Sequence, residues 1–147
     1  MDREILFRGK RMDNGKWVEG WYCPKKTGHY EGDSFVEEMQ SVIIASMTGG
    51  GYQYAVVDPR TVCQYTGLTD RNGKKIFVGD IVEDKHGNLY KAFWQENYYQ
   101  FSFICIKSKN NFLKDAKWAL WSLSKNDELS FCGNIFDNPA LLEGGAE

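Results

Sequence analysis

Polar and apolar residues alternate along much of this chain, and three glycine-marked reversals punctuate the alternation: Asp13-Asn14-Gly15-Lys16, Arg71-Asn72-Gly73-Lys74 and Lys85-His86-Gly87-Asn88. Asn-Gly accepts positive φ at both central positions. The first two therefore predict type I′ turns between antiparallel strands, and the third carries the same signal with His for Asn. A two-residue turn at Asn14-Gly15 sets Met12 opposite Trp17, Lys10 opposite Glu19, Arg8 opposite Trp21 and Phe7 opposite Tyr22. Side chains alternate between the faces of a strand. One face of this hairpin then carries Ile5, Phe7, Gly9, Val18, Gly20 and Tyr22. It reads as core, with Gly9 opposite Gly20 so that another element can approach closely. The other face carries Leu6, Arg8, Lys10, Met12, Trp17, Glu19 and Trp21, tryptophans interleaved with charges.

Residues 24–33 read as a polar loop, 41–45 as a strand and Gly49-Gly50-Gly51 as a loop tip. A strand over 54–57 stops at Asp58-Pro59, because proline cannot donate to a ladder. The second half reads as a meander with strands over 76–83, 89–94, 98–107, 118–123 and 130–136. Residues 101–106 are apolar on one face and nearly so on the other, which suits a central strand. Five short, twisted antiparallel strands predict a small SH3-like barrel or a strongly bent sheet. Asn138 as cap, Pro139 at the first helical position and Leu141-Leu142 as apolar face predict one short helix over 138–143, ended by Gly144-Gly145. Residues 110–119 are compatible with a turn of helix or a loop.

Composition agrees with this mainly β reading. Of 147 residues, 42% are hydrophobic and 15% aromatic, with fifteen Gly against three Pro. That balance suits strands and tight turns better than a helical bundle. One domain over 1–147 is expected: an N-terminal hairpin and loop-rich part (1–60), a meander (61–136) and the short helix (138–143). No apolar run approaches the ~20 residues of a membrane span. The mixed charges of residues 1–10 lack a signal-peptide core, so a cytoplasmic location is expected.

Candidate chemistry is sparse. Cys23, Cys63, Cys105 and Cys132 fit neither C-x-x-C nor a dense disulfide framework, and read as reduced thiols packed in strands. His29 and His86 have no cysteine within metal-ligand spacing. Glu37-Glu38 and Glu83-Asp84 are sequence neighbours, which strands send to opposite faces. The Gly49–Gly51 run lacks the phosphate-loop pattern. No cofactor, metal or catalytic residue is expected.

Net charge is −2, which excludes a uniformly basic coat. Residues 1–30 hold seven basic and four acidic groups and residues 91–125 hold six and two, whereas residues 126–147 hold five acids and no base. Arg8, Lys10, Trp17 and Trp21 share one hairpin face and could offer phosphate contacts and stacking together. Arg8 paired with Trp21 and Lys10 with Glu19 would equally make ordinary cross-strand pairs. Opposite-signed segments also suit contact between subunits.

Three stretches carry a likeness. They are Phe7-Arg8-Gly9-Lys10 with Gly15-Lys16-Trp17-Val18-Glu19-Gly20; residues 61–70 with Asn72-Gly73-Lys74-Lys75-Ile76-Phe77 and Gly79-Asp80-Ile81-Val82; and Gly133-Asn134-Ile135-Phe136-Asp137-Asn138-Pro139 with Leu141-Leu142. In this order they resemble the YopX family of bacteriophage and prophage proteins, departing at Cys63, where the family commonly has glycine. The resemblance implies a predominantly β fold, a phage-associated origin, hence the host-cell cytoplasm, and no known reaction. Gln64, Tyr65, Thr66, Gly67, Gly73, Gly79, Asp80, Gly133, Asn134 and Pro139 lie in the shared motifs. Physically they read as architecture, with Gly67 and Gly79 permitting bulges or bends, and Asp80 bonding backbone amides two residues on. The expected function is a non-enzymatic accessory protein acting through protein–protein contacts as a homo-oligomer. Nucleic-acid binding through Arg8, Lys10, Trp17 and Trp21 is the alternative.

Overall fold

The computed structural model describes residues 4–46, 49–110, 113–119 and 129–143. The chain divides into two compact units, one ending at Gln64 and the other beginning at Tyr65.

In the first unit, strands β1 (Phe7–Lys10), β2 (Trp17–Glu31), β3 (Ser34–Ser46) and β4 (Tyr52–Val57) lie antiparallel in the order β4-β3-β2-β1. The first reversal is longer than Asn14-Gly15 alone. Arg11 N–H donates to the Lys16 carbonyl at 2.9 Å, and Gly15 N–H to the Arg11 carbonyl at 2.9 Å. Asn14 contributes through its side chain, which accepts from Lys16 N–H at 2.9 Å. Only Gly15 takes positive φ, so the type I′ expectation is not met. Register is consequently Phe7↔Gly20, Arg8↔Glu19, Gly9↔Val18 and Lys10↔Trp17, displaced from the expected pairing. The displacement is by an even number of residues, so every side chain keeps its face.

Residues expected to form a polar loop instead complete β2, which pairs with β3 without interruption from Trp21↔Ile44 to Glu31↔Ser34. The missed signal is Gly32-Asp33 between Glu31 and Ser34, a two-residue turn with Gly32 at φ +62°. The inner face packs Phe7, Val18, Tyr22 and Val62 against Ile43, Ala55 and Val57. Ile5, expected there, is exposed. Close approach at the two glycines does occur, but separately. A Cβ on Gly9 would come within 2.9 Å of the Val57 Cβ, and one on Gly20 would strike the Ile44 carbonyl oxygen. Bonds from Met12 N–H to the Val56 carbonyl and from Asp58 N–H to the Lys10 carbonyl set the end of β4 beside the end of β1. Asp58 then accepts from Arg60 N–H at 3.0 Å and caps a 3-10 turn, Pro59–Thr61. Strand β5 (Cys63–Thr69) follows.

In the second unit the remainder of β5 pairs with β6 (Lys75–Phe77), its register shifting between Tyr65 and Thr69 around Gly67. Strands β7 (Asp80–Glu83), β8 (Leu89–Gln95), β9 (Gln100–Lys107), β10 (Lys117–Ala119) and β11 (Ser130–Asn134) form an antiparallel sheet ordered β10-β9-β8-β7-β11. Its core is Ile76, Val82, Tyr90, Ala92, Phe103, Cys105 and Leu129. Strand β9 is interior to the sheet, with buried residues on both faces.

Several expectations need correction. Among the described residues the meander is an open sheet bounded by β10 and β11, not a closed SH3-like barrel. The expected strand over 76–83 breaks at Val78-Gly79, where Gly79 sits at φ +89°, giving β6 and β7. The expected strand over 98–107 starts at Gln100, because Tyr98 ends a 3-10 turn, Glu96–Tyr98, and Tyr99 sits at φ +48°. Residues 113–116 form turn and coil, without helix. The chain expected to continue β10 through 120–123 lies outside the described residues, as do Gly144-Gly145. The C-terminal helix is a 3-10 turn, Pro139–Glu143. The Asn138 side chain does not cap it. It turns back to accept from Asn134 N–H at 3.2 Å, while the Asn138 carbonyl accepts from Leu141 N–H at 3.0 Å in the tighter 3-10 pattern.

Candidate functional site

The side of the first sheet turned away from its core collects the residues that the sequence singled out. Lys10 and Arg8 on β1 and Trp17, Glu19 and Trp21 on β2 share this face by alternation. The Arg8 guanidinium stacks 4.4 Å from the centre of the Trp17 ring, and the Lys10 ammonium lies 5.3 Å from the same ring. Both cations thus meet Trp17, because the register displacement brings Trp17 level with Lys10 instead of Met12. Arg8 is only 6% exposed. Three of the four candidates converge on one stack. Trp21 stands on the same face, 52% exposed, and its ring lies 6.0 Å from that of Tyr52.

Sequence reasoning missed what lies beyond Trp21. Ile44 is opposite Trp21 on β3, Tyr54 is opposite Ile44 on β4, and Val56 is opposite Val42. Tyr52, Tyr54 and Val56 are all exposed, Tyr54 by 67%, whereas Ala55 and Val57 between and beyond them are buried. The period-two pattern Tyr-x-Tyr-x-Val at 52–56 was the available signal, and it places three large side chains outward. A contiguous outward apolar face on a small protein is uncommon unless something covers it.

The motif residues occupy structural positions. Gln64 faces Phe7 across β1 and β5. Tyr65 is buried, its ring 5.5 Å from Phe77. The Thr66 hydroxyl donates to the Ile76 carbonyl at 2.7 Å. Asp80 is fully buried and accepts from Phe77 N–H at 2.8 Å, three residues back in the chain. Gly133 leaves room for the Asn138 side-chain oxygen, which a Cβ would strike. The Asn134 side chain accepts from Phe136 and Asp137 N–H and donates to the Asp137 carboxylate, shaping the turn that leads to Pro139.

The other two predicted turns share one chemistry, again not type I′. In each, Gly N–H bonds the carbonyl of an Asp three residues back, Gly73 to Asp70 and Gly87 to Asp84. Each Asp N–H bonds a carbonyl four residues on, that of Lys74 or Asn88. Only the glycine of each loop has positive φ, so each is a three-residue loop closed by a glycine bulge. The Asp70 carboxylate accepts from the amides of Asn72, Lys74 and Phe131. The Asp84 carboxylate accepts from His86 and Asn88 amides, the Asn88 side chain and the Tyr90 hydroxyl. Burial pushes both carboxyls upward, but these donors outweigh it and hold each below the usual carboxylate range. The repeated spacing Asp-x-x-Gly at 70–73 and 84–87 could have revealed this.

Cys63 and Cys105 are buried, as expected, but Cys23 and Cys132 are exposed. Partial desolvation of the thiol, and then the neighbouring Glu83 carboxylate, push the exposed Cys132 up, away from a reactive thiolate. Among the described residues no group of three or more His, Cys, Asp or Glu side chains could hold a metal ion. Nor is any helix among them long and apolar enough to cross a membrane.

A family model described as YopX protein matches residues 6–143. No curated protein matches the chain.

Proposed function

This chain belongs to the YopX family, and on that footing we propose that it is a non-enzymatic phage or prophage accessory protein of the host-cell cytoplasm that acts by associating with protein, its own copies first. The observation that carries this reading is the outward face of Trp21, Tyr52, Tyr54 and Val56. Rigid aromatic side chains on an exposed sheet face are what protein interfaces bury at their centres. The Asp70 and Asp84 carboxylates are taken up by turn amides and, at Asp84, also by the Tyr90 hydroxyl, which favours a binding role over acid–base chemistry.

Light scattering coupled to size exclusion tests the proposal. Wild-type protein at micromolar concentration should run as a multiple of the chain mass. Trp21→Ala with Tyr54→Ala should lower that mass while leaving the circular dichroism spectrum unchanged. A strictly monomeric wild type would overturn self-association. Nucleic-acid binding is the weaker reading, because the Arg8 guanidinium is buried against Trp17 rather than offered to phosphate. A fluorescence titration at two salt concentrations separates the two. Tight binding that weakens steeply with salt would restore the nucleic-acid reading.

A further inference from the structure

Among the described residues, the β2–β3 ribbon continues beyond the paired region of β1 and β4 as an arm of two strands. Pairing with β1 ends at Gly20 and pairing with β4 ends at Ser41, yet β2 and β3 remain in register out to Glu31↔Ser34. The arm from Lys25 to Glu31 is about 23 Å long at strand rise. Nearly all of it is exposed, including Tyr30 at 74%, Phe35 and Met39. A two-stranded ribbon with both edges open is marginal in water and a template for a further strand.

Its two edges are not equivalent. The two-residue turn makes Glu31 and Ser34 a hydrogen-bonded pair, so Glu31, His29, Thr27 and Lys25 turn their backbone groups toward β3. Lys26, Gly28 and Tyr30 turn theirs to the open edge of β2. By the same alternation Phe35, Glu37 and Met39 turn theirs to the open edge of β3. Two copies meeting antiparallel at the β3 edges, centred on Glu37, would set acid against acid. Two copies meeting at the β2 edges, centred on Gly28, bring the outward residues level: Lys26 with Tyr30 of the second copy, and Gly28 with its own counterpart. The same register sets Lys25 opposite Glu31 of the second copy, twice by symmetry. Pro24, which has no N–H, ends the ladder on one side, and the Gly32 turn ends it on the other.

Resting on the self-association proposed above, we infer that the open edge of β2 between Lys25 and Glu31 pairs antiparallel with the same edge of a second copy about a two-fold axis at Gly28. The interface is isologous and joins two arms into one four-stranded ribbon. On one face, Phe35, Tyr30, Lys26 of the second copy and Met39 of the second copy form a continuous row, and Lys26 meets a tyrosine ring.

Charge reversal tests the register in the full chain. Lys25→Glu and Glu31→Lys each place like charges across the axis twice. Each should weaken association at least tenfold by sedimentation velocity and lower the oligomer mass at equal concentration. Lys25→Glu combined with Glu31→Lys should restore both. Lys26→Pro removes an outward N–H without touching the β3 ladder and should weaken association similarly. Matched circular dichroism spectra confirm that the variants fold. A wild-type oligomer indifferent to the single reversals and to Lys26→Pro would overturn the arm interface while leaving self-association standing. Failure of the double reversal to restore association would also overturn the stated pairing. A monomeric wild type would sink both.

Discussion

The β2–β3 hairpin and the β8–β9 hairpin are built from the same pleated, antiparallel geometry and face opposite fates. Along β8 and β9, Tyr90, Ala92, Phe103 and Cys105 are buried in one cluster, and the Tyr90 and Phe103 rings meet edge to face at 6.4 Å. Along the arm of β2 and β3 most side chains are exposed, and the lateral side-chain contacts include a Lys26–Glu37 ion pair at 2.7 Å, a bond from the Thr27 hydroxyl to the Glu38 carbonyl at 3.4 Å and a Tyr30–Phe35 ring contact at 5.2 Å. Exposed ion pairs contribute little, and one ring pair adds about 0.5–1.5 kcal/mol. A strand ladder therefore does not require a buried face. It requires an uninterrupted register and a turn that starts it, and the β2–β3 hairpin has both. What burial adds is stability, and its absence leaves side chains available for a partner.

Substitutions should separate these contributions. Phe103→Ala removes a fully buried ring from the second unit and should cost about 3–5 kcal/mol by urea unfolding. Gly20→Ala should cost about 1–3 kcal/mol, because its Cβ must displace the Ile44 carbonyl and so part β2 from β3 at the root of the arm. Asp70→Asn and Asp84→Asn should each cost about 1–2 kcal/mol at neutral pH, since each weakens several amide bonds to one carboxylate. Both carboxyls titrate lower folded than unfolded. Their stabilisation is complete above the ordinary aspartate value of about 3.9 and is lost as pH falls through the depressed folded values. Unfolding midpoints measured from pH 6 to about pH 2 should therefore fall less steeply in the double variant than in wild type. The smallest effect belongs to the arm: Phe35→Ala should change stability by no more than about 1 kcal/mol. A large loss there would show that the arm is covered and break the contrast.

The strands at 54–57, 89–94 and 101–106 were legible because alternation is a local property, as was the partition of the first hairpin into Phe7, Val18 and Tyr22 on one side and Arg8, Lys10, Trp17 and Trp21 on the other. That partition survives a shift in register by an even number of residues, so a wrong turn length did not disturb it. The arm was not legible by composition. Lys25, Lys26, Thr27 and Gly28 look like loop when read for apolar residues, and only the Gly32-Asp33 turn announced a hairpin.

By itself, then, the chain determined where it reverses, which residues share a face and that its architecture is β, since these follow from φ preferences and from the two-residue period of a strand. Which cation meets which ring, that Asp80 takes the Phe77 amide, and how far the ribbon runs beyond its neighbours were decided only in three dimensions. Those outcomes depend on turn length and register, where hydrogen bonds between residues distant in sequence choose among alternatives that local preferences leave nearly equal in energy.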